Sequence, residues 1–167
     1  MLKELQIRNF ALIEELELSF YSGFSVLTGE TGAGKSIIID ALGLLLGARA
    51  SVEMIRTGAE TTEVAGSFTL TPPARALVEA WGMGEGEELI IARELNLNGR
   101  NKCWINGRMA TVSQLAELGV HLVDMVGQHD SQSLLDPKEH GGLLDAYGGE
   151  DHLVLLMIDL GDLREGI

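Results

Sequence analysis

Cysteine is nearly absent from this chain: one residue, Cys103, in 167 excludes an internal disulfide and suits a reducing compartment. Basic side chains are also scarce. Twelve Lys and Arg against 25 Asp and Glu leave a formal net charge of −13. That balance argues against broad, non-specific nucleic-acid binding, which needs surplus cations to displace counterions; a local basic patch stays open. The four histidines, His121, His129, His140 and His152, show no metal-ligand spacing. The apolar run from Ile37 to Leu46 is too short to span a bilayer. No signal peptide precedes the strand-like Leu2–Ile7, so a soluble cytoplasmic protein with no membrane partner is expected. There is no internal repeat and no heptad array.

What is present is enough for a real core. Hydrophobic residues make up 46% of a length that suits one domain, and the 21 glycines fall at turns and helix ends. The chain is organised around Gly29-Glu30-Thr31-Gly32-Ala33-Gly34-Lys35-Ser36, which fits the phosphate-binding pattern G-x-x-x-x-G-K-[ST] without a mismatch. Phe24 to Thr28 before it is expected to be a short buried strand, and Ile37 to Leu46 after it a helix closed by Gly47. Backbone N–H groups of such a loop form an anion nest, to which the helix N-terminus adds partial positive charge. The nucleotide cradle is expected from Gly29 to Ile37, with Lys35 reaching the β- and γ-phosphates and the Ser36 hydroxyl ligating Mg²⁺.

Two half-buried strands are expected before the loop, joined near Ala11, and an irregular polar stretch from Ser51 to Thr62 after the helix. A strand through Val64, Gly66, Phe68 and Leu70 follows, then a short helix opened by Pro72-Pro73 and ended by Gly82. Leu89–Leu95 and Lys102–Ile105 suggest an antiparallel pair. Asn106-Gly107 is a strong hairpin signal, and Thr111 with Gln114 resembles a capping box, with Gly119 past the end of its helix. Val120 to Val126 is expected to be a buried strand feeding the polar loop Gly127–Ser133, and Asp136 to start a further helix. Parallel strands feeding helices, with an antiparallel meander between, give a mixed α/β layered domain. Both polar loops are then expected at the C-terminal edge of the parallel strands. Arg93, Arg100, Lys102 and Arg108 gather around Trp104: either a DNA phosphate contact with a stacking aromatic, or a solvated hairpin whose Trp packs inward. Cys103 is expected to be a buried structural thiol and Trp81 a core residue.

Four stretches, in order and spacing, resemble one family: Leu5-Gln6-Ile7-Arg8-Asn9-Phe10; Leu27–Ser36 with Asp40-Ala41-Leu42 behind it; Trp104-Ile105-Asn106-Gly107-Arg108; and Val126–Leu135. From Met1 to about Gly149 the chain is similar to the N-terminal head segment of the RecN family, the SMC-like (structural maintenance of chromosomes) ATPases of bacterial double-strand-break repair. The fold this implies is a P-loop NTPase of α/β class: the N-terminal lobe of an ABC/SMC-type head, a mixed sheet with an antiparallel β meander and flanking helices. Residues 1–149 would form that lobe and 150–167 the root of a coiled coil or a linker, although Gly161 interrupts the helical spacing there. The resemblance further implies ATP and Mg²⁺ as cofactors, Lys35 and Gln128 as catalytic residues, and Ser36 with Gln128 at the metal. It places Arg8 and Asn9 near the nucleotide, and makes Arg49 or Arg56 an arginine that approaches phosphate or DNA. Implied partners are the C-terminal half of the same head, a second head in an ATP-dependent homodimer, and DNA in the full protein, at the nucleoid.

The chain departs from a complete head in lacking a Leu-Ser-Gly-Gly-Gln signature and an apolar strand ending in Asp-Glu. Val120–Asp124 and Leu153–Asp159 imitate such a strand, but Met125 and Leu160 stand where the general base belongs. Weak or moderate ATP binding and poor hydrolysis by the chain alone are therefore expected. The competing readings are a non-catalytic nucleotide-gated interaction module and a small stand-alone P-loop kinase-type enzyme.

Overall fold

The computed structural model describes residues 1–27, 34–84 and 86–124. Among the described residues six strands form one sheet: β1 (Leu2–Phe10), β2 (Ile13–Ser19), β3 (Thr61–Thr69), β4 (Glu88–Asn96), β5 (Asn101–Ile105) and β6 (Arg108–Ala110). Their order is β2-β1-β3-β4-β5-β6, and every neighbouring pair is antiparallel. The described helices are α1 (Lys35–Leu45), α2 (Pro72–Ala80) and α3 (Val112–Gly119), with a 3-10 turn at Val52–Met54.

Period-two alternation gives the sheet its inner face. Leu5 and Ile7 of β1, Val64 and Phe68 of β3, and Leu89, Ile91 and Leu95 of β4 are all buried. Ala41, Leu42, Leu44 and Leu45 of α1 join them in the core, with α1 lying across β3 and flanked by β1 and β4. Gly66 lets the helix settle that low, since a Cβ there would lie 2.9 Å from Leu45 Cδ2. The second half of α1 is buried all round because α3 covers its other side: a Cβ on Gly119 would meet the Leu46 carbonyl oxygen at 3.0 Å.

Local signals in the sequence set the ends of these elements. Gly47 takes φ +94° and donates to the Leu44 carbonyl, while Ala48 donates to that of Gly43, closing α1 in a Schellman motif. Thr71 caps α2, whose first turn carries Pro72, and Thr111 with Gln114 forms the reciprocal capping box of α3. Gly119 is the last residue of α3 rather than the residue past it. Asn106 and Gly107, at φ 49° and 76°, make the tight turn between β5 and β6.

Two expected parallel strands are absent from the described residues. Phe24–Leu27 is irregular, with Phe24 70% and Val26 59% exposed, and Val120–Asp124 leaves α3 as a hydrogen-bonded turn rather than a strand. A strand exists only by pairing, and parallel strands need cover on both faces. No described segment pairs with either run as a strand, so apolar content alone does not extend them. The described sheet is consequently antiparallel rather than mixed, and Val120–Asp124 is not a metal-holding strand. Thr28–Ala33, Met125, Val126, the Gln128 loop, the helix expected from Asp136, Leu153–Asp159 and the tail 150–167 lie outside the described residues.

Candidate functional site

The phosphate-loop pattern delivers its last glycine, Gly34, into the left-handed region at φ 97°, and α1 begins at the next residue, Lys35. No side chain caps this N-terminus and no acidic residue sits in its first turn. Among the described residues, the first-turn N–H groups that a Ser or Asp cap normally takes have no side-chain acceptor, next to the positive end of the helix dipole. Ser36 is exposed in that turn, Ile37 is half-buried, and Asp40 is exposed one turn on. An uncapped N-terminus with an exposed hydroxyl accommodates an anion and its counter-cation, so the described residues fit a Mg²⁺–nucleotide phosphate group. Among the described residues no three His, Cys, Asp or Glu side chains gather to hold a metal by themselves. Gly29, Glu30, Thr31, Gly32, Ala33 and Gln128 lie outside them.

Arg8 projects from the face of β1 opposite Leu5 and Ile7, hence away from α1, and its Nε donates to Glu15 Oε1 on β2 at 3.1 Å. Asn9 takes φ 51° at the end of β1, where its carbonyl accepts from the Arg56 N–H at 2.8 Å.

The two candidate arginines after α1 separate clearly. Arg56 fastens the turn between β1 and β2, donating to the Leu12 carbonyl at 3.0 Å and to Glu14 at 3.3 Å. Arg49 is exposed, two residues past the α1 C-terminal glycine, and makes no side-chain hydrogen bond or ion pair among the described residues.

The four-residue basic cluster expected around Trp104 is split by the sheet. Lys102 pairs with Glu94 at 2.8 Å, Arg108 donates to the Gly82 carbonyl at 2.8 Å, and Arg100 is exposed. Trp104 lies half-buried on the open face between Ala92 and Met109 rather than inside, because its neighbours Cys103 and Ile105 take the buried positions. Arg93 is 1% exposed and points into the core. Its Nη1 donates to the Leu44 and Ala48 carbonyls at 2.6 and 2.8 Å, and Nε and Nη2 both reach Asn101 Oδ1. Burial pulls the Arg93 pKa below its ordinary value, while its strand partner Cys103 pulls it up. The sequence signal was available: Arg93 occupies the same alternation as Leu89, Ile91 and Leu95, a charge in an apolar row.

The family model described as "AAA domain" matches residues 4–115. A DNA repair protein RecN from Halalkalibacterium halodurans is 49% identical over 152 residues, which cover 89% of this chain and 27% of the relative. The chain thus spans about a quarter of the length of the curated relatives it matches. Among solved structures, a chain from work on ATP-driven dimerization and DNA stimulated activation of SMC ATPases superposes with a TM-score of 0.65. It is 25% identical, and the match covers 87% of this chain and 98% of that one. The SMC head domain from Thermotoga maritima gives a TM-score of 0.54 at 25% identity, covering 70% of this chain and 41% of its own.

Proposed function

Since the chain belongs to the AAA domain family, we propose that it is the ATP-binding N-terminal lobe of an SMC-like ATPase head of the RecN kind, serving DNA double-strand-break repair and recombination. The observation that carries this reading is the uncapped N-terminus of α1, entered through left-handed Gly34 at the end of an unbroken phosphate-loop pattern. In this reading the backbone from Gly29 to Ile37 cradles the phosphates, Lys35 neutralises the β- and γ-oxygens, and the Ser36 hydroxyl holds the metal. Bound Mg²⁺ supplies the charge that draws electron density from the γ-phosphate. Gln128 would contact that metal and orient the attacking water. Of the two arginines, Arg49 is the one left to meet phosphate or DNA, because Arg56 is committed to the β1–β2 turn. Arg8 and Asn9 contribute through the end of β1, whose backbone Arg56 holds.

Positioned phosphates are one part of phosphoryl transfer; a held metal and an oriented water are the others. The chain has no signature motif and no Asp-Glu strand end. Those come, in this proposal, from a C-terminal half of the same head and from a second head joined in an ATP-dependent dimer, with the assembly acting on DNA in the cytoplasm at the nucleoid. Single-turnover hydrolysis of Mg-ATP tests it. No turnover by the chain alone and clear turnover after adding the C-terminal half, abolished by Lys35→Ala, is the expected result. Brisk turnover by the chain alone would overturn the split-site reading.

A further inference from the structure

The structure assigns Arg93 a task at a distance from the phosphates: we infer that it is a positioning residue for α1, pinning the far end of that helix to the sheet through the Leu44 and Ala48 carbonyls, and thereby setting where the chain delivers Lys35 and Ser36. The inference rests on the ATP-site reading of α1 given above.

Three contacts make the C-terminal end of α1 the fixed end. From the sheet side, Arg93 Nη1 reaches Leu44 O at 2.6 Å and Ala48 O at 2.8 Å. From the other side, α3 closes over Gly47, where a Cβ would lie 2.5 Å from the Ala116 backbone nitrogen. Next to it, Gly119 packs against the Leu46 backbone. The N-terminal end is held less closely among the described residues: Ser36 is exposed, and Ile37 and Ile38 are only half-buried against the core. Leu44 lies about 14 Å along the axis from Lys35, at roughly 1.5 Å per residue. A helix is stiff over that length, so a shift or tilt at its closely held end is carried to its N-terminal end.

The choice of an arginine here is costly unless direction matters. An apolar side chain would continue the row of Leu89, Ile91 and Leu95 without desolvating a charge. A guanidinium instead offers a planar fork: one nitrogen takes two carbonyls at the negative end of the helix dipole, and the other edge is held by Asn101 Oδ1 at 2.9 and 3.1 Å. Asn101 is the first residue of β5 and is exposed, so it orients the fork from outside the core. Among the described residues no buried side-chain nitrogen or oxygen lacks a partner. The arrangement is therefore complete as a device.

The test uses the complete head, this chain with its C-terminal half, and compares KM for ATP, kcat and Tm across variants. Asn101→Ala removes the orienting acceptor at an exposed position. It is expected to raise KM by about fivefold or more, as misplacement remote from the chemistry does, together with a lowered Tm from the guanidinium donors left unpaired. Asn101→Asp keeps the acceptor oxygen and is expected to restore KM. Arg93→Lys keeps the charge but cannot serve both edges of the fork, and is expected to raise KM as well. A purely structural Arg93 would move Tm and leave KM at its original value in every folded variant, and that result overturns the inference. An unmodified head whose ATP turnover is indifferent to Lys35→Ala would instead overturn the ATP-site reading, and the inference with it.

Discussion

At Cys103 two influences on one thiol oppose each other. Burial raises its pKa above the ordinary 9.0, and the neighbouring Arg93 guanidinium pulls it down; burial is the larger. The folded state thus prefers the protonated thiol. Its contribution to stability is complete below the unfolded value and is lost as pH rises from there through the higher folded value. Urea unfolding between pH 8 and 10.5 should therefore show a stability decline in the original chain that is shallower in Cys103→Ala. Equal slopes would remove the argument. The two arginines after α1 make a second contrast at this scale. Arg56→Ala gives up a hydrogen bond to Leu12 and a partner of Glu14, and should cost about 1 kcal/mol of stability. Arg49→Ala should stay within about 0.5 kcal/mol yet lower ATP turnover of the complete head. Thermal melts and turnover on the two variants check the division, and a reversed pattern would return Arg56 to the site. Nothing in the sequence separates these arginines: both sit in polar stretches after the same helix, and only the placement of Leu12 and Glu14 decides which is occupied.

Among elements, α1 is where sequence and structure agree most closely, for a physical reason. Its end is written in local chemistry, a glycine at the one position that needs φ +94°, and local chemistry does not depend on the rest of the chain. The capping box of α3 and the Asn106-Gly107 turn were legible on the same ground. Gly47 also carries a tertiary requirement that no local rule shows, the close approach of Ala116. Gly47→Ala should destabilise by more than about 2 kcal/mol, from left-handed strain plus overlap with backbone. Gly58→Ala, at φ +90° but with nothing within 4 Å, should cost only the strain of about 1–2 kcal/mol. Equal losses in chemical denaturation would mean that α3 yields easily and does not clamp α1. Arg93 is legible by its alternation, whereas its sequence neighbours suggest a surface cluster, because proximity in sequence across a hairpin does not say which face a residue takes. Trp104 and Arg93 lie on opposite faces of adjacent strands for that reason.

For the whole molecule, the largest departure from expectation concerns what is left unpaired. Phe24 and Val26 precede the phosphate loop as an apolar run, and the sequence predicts a buried strand there; the structure leaves both side chains exposed. Among the described residues the run has strand chemistry without a neighbouring ladder, and no pattern within one segment can supply the neighbour. The chain covers about a quarter of its relatives' length, and in the proposed split head the C-terminal half brings the missing strands. Side chains that are exposed in the lobe alone and covered in the complete head have a double signature. Phe24→Ser and Val26→Thr should each shift the stability of the lobe alone by less than about 0.5 kcal/mol. In the complete head each loses on the order of 1–2 kcal/mol of apolar burial, which is roughly a tenfold weaker association of the two halves. Titration calorimetry of the halves, beside melts of the lobe, reads both numbers. Association unchanged by either substitution would mean that the C-terminal half docks elsewhere, and that the run before the phosphate loop stays open in the assembled ATPase.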